Sequence, residues 1–414
     1  MNSDGRVLSP AVCKSPHFER MKTMETLIEL YDERPLENVL AAEIFRPARV
    51  VYICPGRIAS NQKIQQNLRR YYHHRGLKTE LIFLRASIYD TEAIKKLLLK
   101  VVNQYPDCSI DITGGTDAVL FASGQICTEV DIPVFTYSRK NKQFYNIRNA
   151  TFANGRKCTL TYSVEDCILM AGGSMKTGRF DNSILHMYSD DIDPFFGVYM
   201  KHRRQWVKAI NYIQRLSPGR EDGSYALEVS GSYAVKGERG SRINAPELLL
   251  QDLEEIGLIS KLVIQPEQSV SFRFRDGRIR SWLRDVGSVL ELYVYKTCLD
   301  TGLFQDVITS AVIDWEGSGN RNSVTNEIDV LCTSGITPLF ISCKTCDAKT
   351  EALNELAVLR DRFGGQIARA AIVTAESGGI PLRNRAAELG IVVIDLNDLN
   401  AGKLSQRIRK LMRE

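Results

Sequence analysis

From Ala48 to Tyr137, apolar runs and amphipathic runs take turns, and this alternation constrains the fold more than any single motif. The segment Ala-Arg-Val-Val-Tyr-Ile-Cys-Pro, residues 48–55, is apolar and empties into Pro55-Gly56, as a buried strand does on entering a loop. The pattern then predicts a helix over Asn61–Arg75, a strand over Thr79–Leu84 and a helix over Asp90–Asn103. A strand over Cys108–Ile112, a glycine-rich turn, a helix over Asp117–Thr128 and a strand near Pro133–Tyr137 follow. Strands separated by helices predict a parallel sheet covered on both faces, an α/β Rossmann-like arrangement. Such sheets take ligands in the crevice at the carboxyl ends of their strands.

One turn in this region stands out. Asp111-Ile-Thr-Gly-Gly-Thr-Asp117 joins a strand to a helix. Glycines let backbone approach a ligand closely, and a helix N-terminus favours an anion. The turn is neither a Walker loop nor Gly-x-Gly-x-x-Gly. A tight turn with a helix cap explains it equally well.

The second informative region lies near the C-terminus. Asn326-Glu327-Ile328-Asp329-Val330 and Phe340-Ile341-Ser342-Cys343-Lys344 read as two adjacent strands. The turn between them contains Thr333, Ser334 and Gly335. Asp329 stands at the end of the first and Lys344 at the end of the second, so an acid and a lysine lie side by side. That pairing suits phosphodiester hydrolysis, with a carboxylate on a divalent metal and a lysine positioning water. A structural Asp–Lys ion pair is the plainer alternative, since a charge at the end of an apolar strand is costly unless paired. Around this pair the pattern gives a helix over Ser288–Thr301 and a strand over Val307–Trp315. Beyond it come a helix near Lys349–Phe363, a strand over Ala370–Thr374, a helix over Pro381–Leu389 and a strand over Ile391–Leu396. Together these make a unit of ordinary domain size.

The middle is less regular. Residues 142–165 read as a β-rich tail, Ser163–Leu216 as mostly helical, and Pro218–Gly240 as loop or irregular β-structure. Ala245–Gly257 is a helix with Pro at its start and Gly at its end. Two short strands around Asp276-Gly277 would follow it, a helix-then-hairpin order compatible with a winged-helix-like part.

Bulk properties narrow the class. At 414 residues, two or three domains are expected. An apolar content of 44% with 25% charged residues is that of a globular protein. No apolar run approaches the roughly 20 residues of a membrane helix. The first 23 residues are polar and lack an apolar core, so they are expected to be a disordered extension or to precede the true start at Met24. The ten cysteines form no framework, which fits a reducing cytoplasm. Cys343 and Cys346 have Cys-x-x-Cys spacing but no second pair, and tetrahedral zinc needs four ligands. The net charge of +5 is modest, yet Arg203-Arg204, Arg273–Arg284 and Arg407–Arg413 are locally basic. Such clusters suit a polyanion partner or a solvated face.

On Asp329, Lys344 and their context, residues 285–400 resemble the PD-(D/E)xK restriction-endonuclease-like superfamily. The resemblance implies metal ligation by Asp329 and a catalytic role for Lys344. It also implies an acid on the preceding helix, for which Glu291 in Val289-Leu-Glu-Leu-Tyr-Val-Tyr is the candidate. Ser342 stands where that family usually has an acid. A variation within the superfamily recruits the missing carboxylate from the next helix, where Glu351 and Glu355 are four apart and share a face. Glu355 is favoured, with Glu351 close behind. Glu327, two residues from Asp329, shares its strand face and adds a further oxygen. Manganese or magnesium fits such ligands, the implied metal set being Asp329, Glu355 and Glu291.

With the Gly-rich turn and Cys54-Pro-Gly-Arg-Ile-Ala-Ser-Asn-Gln-Lys63, the chain over 24–400 resembles the CRISPR-associated Rossmann (CARF) family fused to a restriction-like nuclease. The opening Leu-Ile-Glu-Leu-Tyr-Asp-Glu-Arg-Pro-Leu-Glu-Asn adds to this likeness. The resemblance implies a homodimer whose paired pocket binds a cyclic oligoadenylate, cyclic tetra-adenylate first among them, and a nuclease activated by it against RNA or DNA. The ligand residues carried over by position are Pro55, Gly56, Ser60, Asn61, Lys63, Thr113, Gly114, Gly115, Thr116 and Asp117. The expected division is an extension over 1–23, a CARF sensor over 24–160, a helical linker with a possible winged-helix-like part over 161–284, and a PD-(D/E)xK nuclease over 285–414. The rival expectation is a messenger-responsive nucleic-acid-binding regulator whose nuclease fold is inactive, with Ser342 as its reason.

Overall fold

The computed structural model describes residues 24–87, 89–176, 178–218, 226–237, 240–317 and 323–413. The expected extension over residues 1–23 lies outside the described residues. The chain divides into two compact units. One comprises the residues up to Glu33 with Glu37–Gln65 and Tyr72–Cys158, and the other Arg34–Leu36, Gln66–Tyr71 and Thr159–Glu414. No helix among the described residues is long and apolar enough to cross a membrane.

In the first unit the strands are β1 (Thr26–Leu30), β2 (Arg49–Pro55), β3 (Glu80–Ala86), β4 (Cys108–Asp111), β5 (Val134–Ser138) and β6 (Gln143–Arg148). The helices are α1 (Leu40–Phe45), α2 (Gly56–Ala59), α3 (Gln62–His74), α4 (Thr91–Gln104) and α5 (Asp117–Ile126). The six strands form one sheet in the order β3-β2-β1-β4-β5-β6. The first five are parallel and β6 is antiparallel at the edge. β1 and the centre of β2 are buried because a parallel sheet is covered on both faces, which is why β2 reads as continuous apolar sequence. Ile28, Val51, Ile110 and Val134 pack against Leu98 of α4 and Ile126 of α5. Asp90 caps α4, accepting from the Ala93 amide at 3.0 Å. The strand order reverses at β1/β4, and the carboxyl ends of these strands open the expected crevice.

The second unit is built on another six-stranded sheet, in the order β17-β16-β15-β14-β13-β7. Its strands are β7 (Ser174–Lys176), β13 (Asp306–Asp314), β14 (Thr325–Ser334), β15 (Thr337–Lys344), β16 (Arg369–Thr374) and β17 (Val392–Ile394). β15, β16 and β17 are parallel, and the remaining pairs are antiparallel. One face packs on α7 (Ser189–His202), α8 (Trp206–Leu216), α11 (Ser288–Asp300) and α15 (Leu404–Arg413), through Phe195, Ile210, Leu290 and Ile408. The other packs on α6 (Val164–Met170), α12 (Thr350–Gly364) and α13 (Ile380–Glu388), through Ile168, Leu353 and Leu382. The short α14 (Leu396–Asn400) precedes α15.

The stretch before α11 is not only helical. β8 (Glu228–Ser232), β11 (Ile259–Gln265) and β12 (Ser269–Phe274) form a three-stranded sheet in the order β11-β12-β8, beside α9 (Glu247–Glu255). β9 (Ala234–Lys236) pairs with β10 (Arg242–Asn244). A helix followed by a hairpin is therefore present, but the hairpin is not centred on Asp276-Gly277. Asp276 instead caps α10 (Gly277–Trp282), its Oδ1 accepting from the Arg278 amide at 2.8 Å and the Ile279 amide at 3.0 Å. An Asp-Gly pair signals a hairpin turn or a helix start, and local capping decided here.

Candidate active site and candidate ligand pocket

Asp329 does not end its strand. β14 runs on to Ser334 because Val330, Leu331, Cys332 and Thr333 are all buried. What ends near Asp329 is the pairing with β15, whose last register pair is Val330↔Ile341. Beyond it the Asp329 carboxylate takes the place of backbone. Its Oδ2 accepts from the Cys343 amide at 2.6 Å, from Ser342 Oγ at 3.1 Å and from Lys344 Nζ at 3.4 Å.

The pleat slips at the same point. Ile328 and Val330 are two apart and would share one face of a regular strand. Ile328 instead joins the core under α12, while Val330 joins the core under α11. On β13 the irregularity falls at Ser310, which has a φ of 53° between Thr309, paired with Val330, and Ala311, paired with Ile328. A non-glycine residue in the left-handed region inside a strand stores strain, commonly at functional sites. Gly178 lies against it: a Cβ there would come within 1.8 Å of the Ser310 carbonyl oxygen.

Three further acids border this slip. Glu291 of α11 is only 5% exposed and pairs with Arg179 Nη2. Glu327 accepts from Ser310 Oγ and lies 4.0 Å from Arg179 Nη2. Asp285 meets Arg179 Nη1 at 2.5 Å. Burial pushes the Glu291 carboxyl up to about 7; Arg179 opposes this and the Asp329 charge adds to it. Burial is the largest single influence on the Lys344 ammonium and pulls it down, but Asp329, with Cys343 and Glu291 nearby, together outweigh it and the net direction is upward. Lys344 therefore stays charged and serves as a donor rather than a base.

Asp329, Lys344, Glu291 and Glu327 thus share one neighbourhood. Ser342 and Lys344 alternate with Cys343, so they lie on the Phe340 face of β15, the face that packs on α12. Glu355, exposed on α12, accepts from Asn326 Nδ2 at 2.8 Å, three residues before Asp329 on β14. Glu351, one turn earlier on the helix, lines a cavity with Lys349, Thr374 and Glu376, and Thr374 is the register partner of Lys344. Sequence reasoning missed Arg179, Asp285 and Ser310. They carry no motif spacing and come together only through the fold.

The donor set fits a hard divalent cation, being carboxylate oxygens. Among the described residues, no three His, Cys, Asp or Glu side chains are gathered around one point as they stand. The acids converge on the guanidinium of Arg179 instead.

In the first unit, a cavity of about 1200 Å³ opens at the carboxyl ends of β2 and β3 and the start of α5. Pro55, Gly56, Ser60, Thr116 and Asp117 line it, as do Arg57, Arg85, Ser87 and Tyr89, which sequence reasoning did not single out. A Cβ on Gly56 would stand 2.8 Å from Arg85 Nε, so glycine lets that guanidinium lie over the backbone. The other expected residues make local contacts. Asn61 Oδ1 accepts from the Ile64 amide at 3.2 Å at the start of α3, and Lys63 is exposed on its first turn. Thr113 donates its amide to Asp111 Oδ1 at 2.8 Å, and its hydroxyl accepts from the Tyr137 amide at 2.8 Å. The Gly115 amide donates to Asp32 Oδ2 at 3.2 Å, and a Cβ on Gly114 would stand 2.9 Å from Asp32 Cβ. The two glycines let the turn pack on the chain leaving β1.

Beneath that turn, Glu29 of β1 and Asp111 of β4 are register partners, both buried. Burial drives the Glu29 carboxyl well upward, reinforced by Asp111, and pushes Asp111 to about 7.

Residues 281–413 match the family described as Card1-like, endonuclease domain. A comparison with curated proteins gave no match. Among solved structures, protein VC1899 from Vibrio cholerae aligns with a TM-score of 0.69 at 18% identity, over 94% of this chain and 98% of that one. Can2 from Sulfobacillus thermosulfidooxidans, solved in complex with cyclic tetra-adenylate, aligns with a TM-score of 0.68 at 16% identity, over 95% and 98%. At these identities the likeness is one of fold. The chain joins an N-terminal Rossmann-like α/β unit to a C-terminal mixed α/β unit whose residues 281–413 match the Card1-like endonuclease-domain family, in a fold shared with Can2.

Proposed function

We propose that this chain is a nuclease switched on by a cyclic oligoadenylate, cutting RNA or DNA phosphodiester bonds in the cytoplasm as an effector of type III CRISPR antiviral defence. The observation that carries the reading is the meeting of Asp329, Lys344 and Glu291 at the slip between β13, β14 and β15, inside a domain of the endonuclease family.

Asp329, Glu291 and Glu327 would hold manganese or magnesium, with Glu355 entering from α12. Such an ion, when bound, supplies charge to polarise the phosphate and to acidify a water. Lys344, kept as an ammonium by Asp329, donates hydrogen bonds to the attacking water and to the oxygens that gain charge. The Cys343 amide and Ser342 hydroxyl fix the Asp329 carboxylate while this happens.

The crevice at β2, β3 and α5 would take the ring, with Arg57 and Arg85 facing its phosphates and Tyr89 offering a ring to adenine. A homodimer would pair two such crevices around a two-fold symmetric messenger. Messenger binding must favour one arrangement over another for activation to follow.

The test is cleavage of labelled single-stranded RNA, single-stranded DNA and supercoiled plasmid, with Mn2+ or Mg2+, with and without cyclic tetra- or hexa-adenylate. Cleavage that needs both metal and one ring supports the reading. Ring binding without cleavage under any combination sinks it. That outcome favours a regulator with an inactive nuclease fold, for which Ser342, a hydroxyl where an acid is usual, is the supporting observation.

A further inference from the structure

The guanidinium of Arg179 stands among the acids of the nuclease unit, and the fold holds it there. Its backbone amide donates to Ser310 Oγ at 2.9 Å. Gly178 before it fits against the strained Ser310 peptide, where no side chain has room. Its Cζ lies 4.8 Å from the centre of the Phe180 ring. Asn182 then ties the segment to β13, donating to the Thr309 carbonyl at 3.0 Å and accepting from the Thr309 amide at 2.9 Å. Arg179 is thus built in rather than draped over the surface, yet its side chain is 28% exposed and solvent reaches it.

The charges around it do not balance. Asp285, Glu291, Glu327 and Asp329 bring four carboxylates, and Arg179 and Lys344 bring two cations, so the fully ionised cluster carries four minus two, or two negative charges in excess. A guanidinium satisfies carboxylates at separate points of a planar fork. A small divalent ion must instead draw oxygens to one centre at about 2.0–2.1 Å. Of the oxygens that would be offered to the ion, Glu291 Oε2 is now given to Arg179, and Glu327 lies 4.0 Å from the same guanidinium.

We propose that Arg179 is a resident counter-cation of the acid site, and that it competes with a divalent metal ion for Glu291 and its neighbours. This rests on the metal-site reading above. The arginine keeps the acids in place without metal, and metal loading must displace its side chain.

The experiment is Mn2+ binding to the full-length protein, followed by the loss of the free-ion electron paramagnetic resonance signal. Wild type is compared with Arg179→Met, which keeps the stem over Phe180, with Arg179→Lys, and with Asp329→Ala. Arg179→Met should bind Mn2+ tighter by about tenfold, a change of roughly 1.4 kcal/mol. Arg179→Lys should fall between it and wild type. Melting curves taken without metal establish that each variant is folded, and Arg179→Lys carries the test if Arg179→Met is not. Equal or weaker Mn2+ binding by folded Arg179 variants overturns the proposal and leaves Arg179 as scaffold. If Asp329→Ala binds Mn2+ like wild type, the metal-site reading itself falls, and this inference with it.

Discussion

Asp329 Oδ2 accepts the Cys343 backbone amide at 2.6 Å, so one carboxylate both closes the end of the β14–β15 ladder and presents charge to the site. The two roles separate by substitution. Asp329→Ala leaves a buried amide without its acceptor and should cost about 1–3 kcal/mol of stability. Asp329→Asn keeps an oxygen there and should cost less. Both should lose cleavage by at least about a hundredfold while still binding the ring. Denaturant titration beside a cleavage assay separates the effects, and full activity in either variant counts against the assignment.

Lys344 is kept charged by Asp329 against the pull of burial. Lys344→Ala should therefore lower turnover by about 10²–10³, the range for removal of one preorganised donor. Substrate affinity should change far less. Single-turnover rates at saturating nucleic acid measure this, and a change confined to KM contradicts a role in the chemical step.

Glu355 bonds to Asn326 on β14, three residues before Asp329, whereas Glu351 lines the cavity beside Thr374 at the end of β16. Glu355→Gln should therefore lower metal-dependent cleavage more than Glu351→Gln. Metal titrations of the two variants decide between them, and the reverse order would assign the fourth carboxylate to Glu351.

In the first unit, Gly56 makes room for Arg85. Gly56→Ala and Arg85→Ala should both weaken cyclic tetra-adenylate binding, by about tenfold or more for the lost phosphate contact. Calorimetry with the ring reads this directly. Unchanged affinity in both variants would move the ligand out of this crevice.

The buried acids of the same unit set a pH dependence. Asp111 has an ordinary value of 3.8, which burial raises to about 7, and Glu29 beside it is also raised. The folded protein then binds more protons than the unfolded chain between these limits, so stability is full below about 4 and falls as pH rises through 7. The melting temperature should decline from pH 5 to pH 8, as a trend of roughly that window. Asp111→Asn should flatten the slope, and a slope left intact would mean that Asp111 is not its source.

The parallel strands β2 to β5 were legible because burial on both faces writes itself as apolar runs, as in Val50 to Cys54, while the central strand β1 was not singled out. Asp329 and Lys344 were legible because they interrupt such runs. Arg179, Ser310 and Asp285 were not, since a strained strand residue and a remote arginine leave no periodic trace. The Asp276-Gly277 turn misled for a related reason: the same dipeptide opens a helix when the next amides are free to be capped. Thr113, Gly114 and Gly115 were taken as ligand contacts by position from the resemblance; within the chain, Thr113 bonds to Asp111 and Tyr137, and the two glycines let the turn pack on the chain leaving β1.

β7 gives the C-terminal sheet its outer strand from residues far upstream of the segment that matches the endonuclease family, pairing Lys176 with Val312 and Ser174 with Asp314. The C-terminal unit is therefore not a cassette that can be excised at the first residue of its family match. A fragment starting at residue 281 would lack β7 and bare β13 as an open edge, the kind of surface that recruits other chains. Insertions and fusions that respect only the motif would separate the blade from part of its own hilt.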